Sequence, residues 1–274
     1  MKEVKIANLS LSNNRPFVLI GGLNVLETDE INEKIIKQCK EVTKKLDIDF
    51  IFKASYDKAN RSSVNSYRGP GLKDGLKKLS NLKTEFNVPV ISDIHLPSEA
   101  EIAAEVLDVI QIPAFLCRQT DLLKAACETG LPLNIKKGQF LAPSDVNNIL
   151  EKCKHFQNEQ LLICERGTSF GYNNLVVDIL GMLELKKYNY PLVFDVTHSL
   201  QMPGGLGDKT AGRREFALNL AKAGISLGIS ALFLEMHPNP EEAKCDGPCA
   251  LHLEDLEDFL NSVKSIDSIV KDAN

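Results

Sequence analysis

Short apolar runs rich in β-formers recur along the chain, at Phe17–Ile20, Phe50–Phe52, Val88–Ile91, Val109–Ile112, Leu133–Ile135, Leu161–Cys164, Leu192–Phe194 and Ala231–Leu234. They read as continuous rather than alternating, as parallel strands buried on both faces do. Between them lie segments of helical period, such as Ile31, Ile35, Ile36, Cys39 and Val42, or Leu253, Leu256, Phe259, Leu260, Val263, Ile266 and Ile269. This α/β pattern predicts eight strand–helix units, and these fill residues 1–274 as a single (β/α)8 TIM barrel domain with no second domain left over. An open doubly wound sheet is the competing arrangement. Val4 and Ile6 predict a short N-terminal β-hairpin closing the bottom of the barrel.

In a barrel of this kind chemistry sits where strands end and loops begin. The first strand run leads to Gly21-Gly22-Leu23-Asn24, the second to Lys53, the third to Ser92-Asp93-Ile94-His95 and the fourth to Gln111-Ile112-Pro113. The remaining ends are Lys136-Lys137, Glu165-Arg166, Asp195-Val196-Thr197-His198 and Glu235-Met236-His237. Every end carries a polar or ionisable side chain, which a barrel without a site does not need.

The second loop adds Lys58, Asn60, Arg61, Ser62 and Ser63. Ammonium, guanidinium, hydroxyl and loop N–H groups together suit a phosphate dianion. Lys53, Lys58, Arg61, Lys136 and Arg166 at one mouth match the charge of about two phosphates and a carboxylate, each phosphate carrying −1.5 to −2.

Those cations are local, because the chain has a formal net charge of −5. A pI of about 5.6 speaks against nucleic acid as the main partner. The N-terminus lacks a signal-peptide apolar region, and no stretch reaches the roughly 20 apolar residues of a membrane span. Seven cysteines without CxxC pairs do not make a disulfide framework. The expectation is a soluble protein in the reducing cytoplasm, with no membrane partner.

Taken singly, many of these residues have plainer uses. His95 alone reads as a structural histidine, Lys136-Lys137 as a solvated pair, Asp93 as a helix cap and Ser62-Ser63 as a turn. Gly204-Gly205-Leu206-Gly207-Asp208, before Arg213-Arg214, reads as a loop or as a lid over the mouth. Cys245 and Cys249 read as small loop residues, and His155 and His252 as surface residues.

Lys58-Ala59-Asn60-Arg61-Ser62-Ser63 and Ser66-Tyr67-Arg68-Gly69-Pro70-Gly71 resemble the 3-deoxy-D-manno-octulosonate 8-phosphate synthase family. The resemblance continues through Gly21–Glu27, Asp108–Phe115, Arg118–Asp121, Phe170–Leu175, Phe194–His198 and His237-Pro238 to Asp246-Gly247-Pro248, so it spans nearly the whole chain. Sister enzymes acting on erythrose 4-phosphate typically carry Lys-Pro-Arg-Thr instead of Lys-Ala-Asn-Arg-Ser-Ser.

The resemblance implies condensation of phosphoenolpyruvate with D-arabinose 5-phosphate in a homotetramer serving lipopolysaccharide synthesis. It implies that Lys53, Lys58, Lys136 and Arg166 hold phosphoenolpyruvate, helped by the backbone at Pro113 and Ala114. Arg61 and Ser62 would bind the pentose phosphate from a neighbouring subunit. Asn60 and Asp93 would bind its hydroxyls, with His95 and Gln111 beside them. Lys136 or Lys58 would move a proton.

Some members of the family bind a divalent metal through Cys, His, Glu and Asp. Three of those positions match here, at His198, Glu235 and Asp246, while Asn24 stands at the cysteine position. An amide is a poor replacement for a thiolate toward borderline metals. The resemblance therefore points to the metal-independent branch, with no cofactor and Asn24 ordering substrate or water. Two other readings stand beside it. One is a related phosphoenolpyruvate-dependent synthase using another aldose, and the other is a non-catalytic sugar-phosphate-binding barrel.

Overall fold

In a computed structural model the described residues are 1–205 and 211–272. Eight parallel strands follow one another around a closed sheet: β1 (Val18–Val25), β2 (Phe50–Ser55), β3 (Val90–Asp93), β4 (Val109–Ile112), β5 (Leu133–Lys136), β6 (Leu161–Glu165), β7 (Leu192–Asp195) and β8 (Ala231–His237). Closure comes from the β7–β8 ladder, in which Val193 pairs with Ala231 and Asp195 with Phe233, so the open-sheet alternative does not hold. β3 starts two residues later than the apolar run because Pro89 has no N–H for the ladder.

Each strand is followed by a helix: α1 (Asp29–Lys45), α2 (Leu72–Phe86), α3 (Ala100–Ala104), α4 (Thr120–Glu128), α5 (Val146–His155), α6 (Ile179–Lys186), α7 (Ala217–Ile225) and α8 (Leu256–Asp272). α1 shows the local logic. Thr28 caps its first turn, Asp29 and Glu30 lie at its positive end, and Lys44 and Lys45 at its negative end. The expected stripe of Ile35, Ile36, Cys39 and Val42 is buried. α8 likewise buries Leu256, Phe259, Leu260 and Val263.

Successive strand residues face opposite ways and so build two cores. One lies between strands and helices and holds Leu19, Phe52, Val90, Ile110 and Leu232. The other fills the barrel with Val18, Ile20, Ile51, Ile91, Val109, Leu162, Val193 and Phe233. The antiparallel hairpin of Val4–Ile6 and Leu9–Leu11 adds Val4, Ile6, Leu9 and Leu11 to this inner core, the bottom plug expected from the sequence. Two residues further along the same inward rows the chemistry changes: Ile20 gives way to Gly22, Ile51 to Lys53, Ile91 to Asp93, Val109 to Gln111, Val193 to Asp195 and Phe233 to Glu235. The polar layer is thus set by the same alternation that packs the core.

Candidate active site

Above that polar layer opens a cavity of about 820 Å³. Of the residues predicted to form a site, Lys58, Asn60, Arg61, Ser62, Asp93, His95, Gln111, Pro113, Ala114, Lys136, Arg166, His198 and Asp246 line it. Asn24, Lys53 and Glu235 do not; they form a buried network that reaches it through Asp246 and His198.

That network begins at a β-bulge. The β1–β2 register shifts between Gly22 and Val25. Gly22 is required there, because a Cβ would lie 2.0 Å from the Lys53 carbonyl oxygen. Within the bulge, the Asn24 side chain donates from Nδ2 to Glu235 Oε2 at 2.5 Å and to Asp246 Oδ2 at 3.0 Å. Its Nδ2 also lies 3.4 Å from His198 Nε2, while Oδ1 is buried without a partner. Lys53 Nζ donates to Glu235 Oε1 at 2.6 Å and to the Asn24 carbonyl at 2.9 Å. Burial pushes the Lys53 ammonium down to about 8, against the pull of Glu235. Lys53 is therefore paired with Glu235 and covered in this structure.

His198, Glu235 and Asp246 each offer a ligand atom within 4.8 Å of the others, the three-group set expected from the sequence. The fourth corner is filled by an amide that presents hydrogens to two carboxylates. Turning the amide over would aim its oxygen at those same anions, which is unfavourable. Such a donor arrangement suits a hydrogen-bonded cluster, not a metal centre.

A second group surrounds Lys136. Its ammonium bonds Asp195 and sits 3.4 Å above the centroid of the Phe233 ring. Asp195 also caps the short helix Val196–Ser199, accepting from the His198 N–H at 3.0 Å, and its Oδ2 lies 2.7 Å from His198 Nδ1. Burial would raise the Asp195 carboxyl, but His198 and Lys136 hold it well below its ordinary range. Asp195 was legible only as a polar strand end.

Arg166, on the loop after β6, is buried. Its Nη2 donates to Gln201 Oε1 at 2.6 Å, whereas its Nη1 is buried without a partner. A guanidinium with an unused donor in a cation-lined cavity is equipped for an anion.

On the opposite wall, Asp93 accepts from Ser55 and lies 3.0 Å from His95 Nε2. Glu99, not Asp93, caps the following turn, accepting from the His95 N–H at 2.7 Å and from the Tyr56 hydroxyl at 2.7 Å. Burial disfavours charge on His95, yet Asp93 and Glu99 raise it to about 9. Burial also opposes the charge on Lys58, but Asp93 and Glu235 hold its ammonium above the ordinary range.

Several plainer readings resolve. Lys137 is not solvated: it is buried and lies 3.5 Å from Glu165 Oε2. Ser63 does form a turn, its Oγ accepting from Asn65 N–H. His252 is half-buried with its Nε2 2.7 Å from Arg214 Nη1, whereas His155 is exposed. Gly204 lines the cavity, but Leu206, Gly207 and Asp208 lie outside the described residues. Sequence reasoning did not single out Gln139, Gln201, Arg214 or Lys244, which also line the cavity. Only the Arg213-Arg214 pair offered a signal, and its two members diverge: Arg213 donates to the Leu175 carbonyl while Arg214 turns to the cavity.

A closed (β/α)8 barrel whose mouth gathers lysines and arginines over a floor of buried carboxylates defines a phosphorylated-substrate enzyme of the TIM-barrel class. Residues 3–272 match the DAHP synthetase I family, and the chain belongs to it. A curated relative from Hahella chejuensis, named 2-dehydro-3-deoxyphosphooctonate aldolase, is 56% identical over 270 residues, covering 98% of this chain and 96% of its own. A protein of the same name from Pseudomonas savastanoi pv. phaseolicola is 55% identical with the same coverage. The Pseudomonas putida protein named 2-dehydro-3-deoxyphosphooctonate aldolase 1 is 56% identical, again over 98% of this chain.

Proposed function

We propose that this chain condenses phosphoenolpyruvate with D-arabinose 5-phosphate and water, forming 3-deoxy-D-manno-octulosonate 8-phosphate and inorganic phosphate. The observation that carries this is the cavity itself, where Lys58, Arg61, Lys136 and Arg166 converge and Arg166 keeps a buried donor unused. The names of the relatives at 55–56% identity support it. In the reaction, C3 of the enol phosphate bonds to the sugar aldehyde carbon, and the aldehyde oxygen takes a proton. Water adds at C2, and the C2–O bond then breaks to release phosphate.

We assign the phosphate and carboxylate of phosphoenolpyruvate to Lys136, Arg166 and Lys58, with the backbone at Pro113 and Ala114. Lys53 acts from beneath by fixing Glu235 and the Asn24 backbone. Arg61 and Ser62 take the pentose phosphate, and Asn60, Asp93, His95 and Gln111 its polyol side. Holding two mutually repelling anions in register is the main catalytic task; such positioning is worth ~7–11 kcal/mol in favourable cases. Preorganised cations then stabilise charge as it develops. Asn24, His198, Glu235 and Asp246 order substrate or water through hydrogen bonds, so activity is independent of a metal.

We assign a homotetramer, supported by aromatic side chains left exposed on the mouth loops: Phe115 at 55%, Phe140 at 56% and Phe170 at 68%. A cytoplasmic setting is supported by seven free cysteines, all buried. No helix among the described residues is long and apolar enough to cross a membrane.

The test is phosphate release from phosphoenolpyruvate with arabinose 5-phosphate, erythrose 4-phosphate or N-acetylmannosamine, each with and without EDTA. Turnover with arabinose 5-phosphate alone, unchanged by chelator, is expected. Preference for another aldose overturns the substrate assignment, and loss of activity on chelation overturns the role given to Asn24.

A further inference from the structure

Gln201 joins two parts of the site that the strand ends alone leave separate. It is 8% exposed, lines the cavity, and sits in a short antiparallel pair with Gly212. Its Oε1 accepts from Arg166 Nη2 at 2.6 Å and its Nε2 donates to Asp246 Oδ2 at 2.8 Å. Asp246 in turn accepts from Asn24, and it does so from a left-handed backbone conformation, φ 50°. Gln201 is the one hydrogen-bond partner of the Arg166 guanidinium among the described residues.

A carboxamide suits this position for a chemical reason. The group there must accept from a cation and donate to an anion at once, without carrying charge. A carboxylate would satisfy the guanidinium but repel Asp246; an ammonium would do the reverse; a thioether of the same length would do neither.

We propose that Gln201 is a positioning residue that holds the unused edge of Arg166 open toward the incoming anion while locking Asp246 to the Asn24 cluster. Bound at Nη2 by a neutral acceptor, the guanidinium is fixed in orientation but not neutralised, so Nη1 remains for substrate. This rests on the assignment of Arg166 to phosphoenolpyruvate made above, and it adds a residue that touches Arg166 instead of the reacting atoms.

The experiment compares Gln201→Met, which removes both hydrogen bonds at constant length, with Gln201→Glu, which places a competing anion on Arg166. The KM for each substrate, kcat, and equilibrium binding of inorganic phosphate to the free protein are measured. A charge-assisted hydrogen bond lost from the clamp predicts a rise of about ten-fold in the phosphoenolpyruvate KM for Gln201→Met. Gln201→Glu is expected to raise it further, with the arabinose 5-phosphate KM changed less than about three-fold in both. Phosphate affinity should fall in the same order.

Two folded variants with phosphoenolpyruvate KM and phosphate affinity within about two-fold of wild type would overturn the proposal. So would equal increases in both KM values with a lowered melting temperature, since that pattern marks general distortion. A wild-type protein that binds phosphate but forms no product would defeat the functional assignment alone. The order of phosphate affinities among the three proteins would then still decide the role of Gln201.

Discussion

The histidine at the cavity wall should give the protein a measurable alkaline weakness. His95 lies 3.0 Å from Asp93 and 3.7 Å from Glu99, with its side chain only 11% exposed. Those carboxylates raise it from 6.5 to about 9 in spite of burial. A folded-state value above the unfolded one means the stabilisation is complete below pH 6.5 and is lost as pH rises through 9. At ~1.36 kcal/mol per pH unit, the interval corresponds to about 3 kcal/mol. For 274 residues at ~2.1 cal/mol/K each, that is a melting shift of roughly 5 °C. The perturbation is His95→Gln, which keeps a polar side chain but cannot ionise. Melting temperatures of both proteins are taken at pH 6 and pH 10 without substrate, and the pH-dependent difference of wild type is compared with that of the variant. Lys53, lowered to about 8, works in the opposite direction over the upper part of this range, but it is present in both proteins and cancels. Asp93 and Glu99 stay ionised throughout, since both lie below their ordinary range. Parallel pH profiles for the two proteins would refute the charged His95–Asp93–Glu99 group.

Three further outcomes follow from the geometry. Asn24→Cys should complete a four-ligand set with His198, Glu235 and Asp246 and create zinc or manganese affinity; a metal titration showing no gain over wild type would count against the cluster geometry. Arg61→Ala, which removes a half-buried cation held, among the described residues, only by the Lys244 carbonyl at 3.3 Å, should raise the arabinose 5-phosphate KM on the order of 10- to 100-fold and leave the phosphoenolpyruvate KM near wild type; equal effects on both substrates would reverse the subsite assignment. Gly22→Ala drives a Cβ toward the Lys53 carbonyl and should destabilise the protein by about 1–3 kcal/mol, lowering kcat through displacement of Asn24; an unchanged melting curve would show that the bulge is not fixed as described.

The barrel was legible because each strand run is short, apolar and followed by a helical period, so strand type and count follow from pattern alone. Most of the site was legible for a related reason. In a parallel barrel the inward row runs from apolar to polar at one end, and residues such as Asp93, Gln111 and Asp195 sit at that change. What stayed hidden depends on where side chains reach across the mouth. Lys53 and Lys136 look alike as lysines closing a strand, but Lys53 meets Glu235 under the Asn24 backbone, and Lys136 faces the cavity over Phe233. Gln201, in its two-residue strand pair, and Gln139 and Lys244, on loops, have no motif of their own, and only tertiary structure brings them to the wall. Asp93 could not be told from a helix cap until Glu99 was seen to occupy that role.

The carboxylates beneath the cations explain how ammonium groups can be buried there and stay charged. Burial alone drives an ammonium toward its neutral form, as Lys53 shows at about 8 even with Glu235 at 2.6 Å. Lys58 escapes that fate because Asp93 and Glu235 both act on it, and it is held charged above its ordinary range. Lys136 bonds Asp195 and lies over the Phe233 ring. Each buried acid therefore preserves a cation that water would otherwise have to solvate. Arg166 differs, because its close partner is the neutral amide of Gln201 and a guanidinium stays protonated without help. Arg166 thus keeps one buried, unpaired donor, Nη1, for an arriving dianion. The paired lysines can contribute once its charge competes with Asp195 and Asp93 for them, which ties their full electrostatic effect to the presence of substrate.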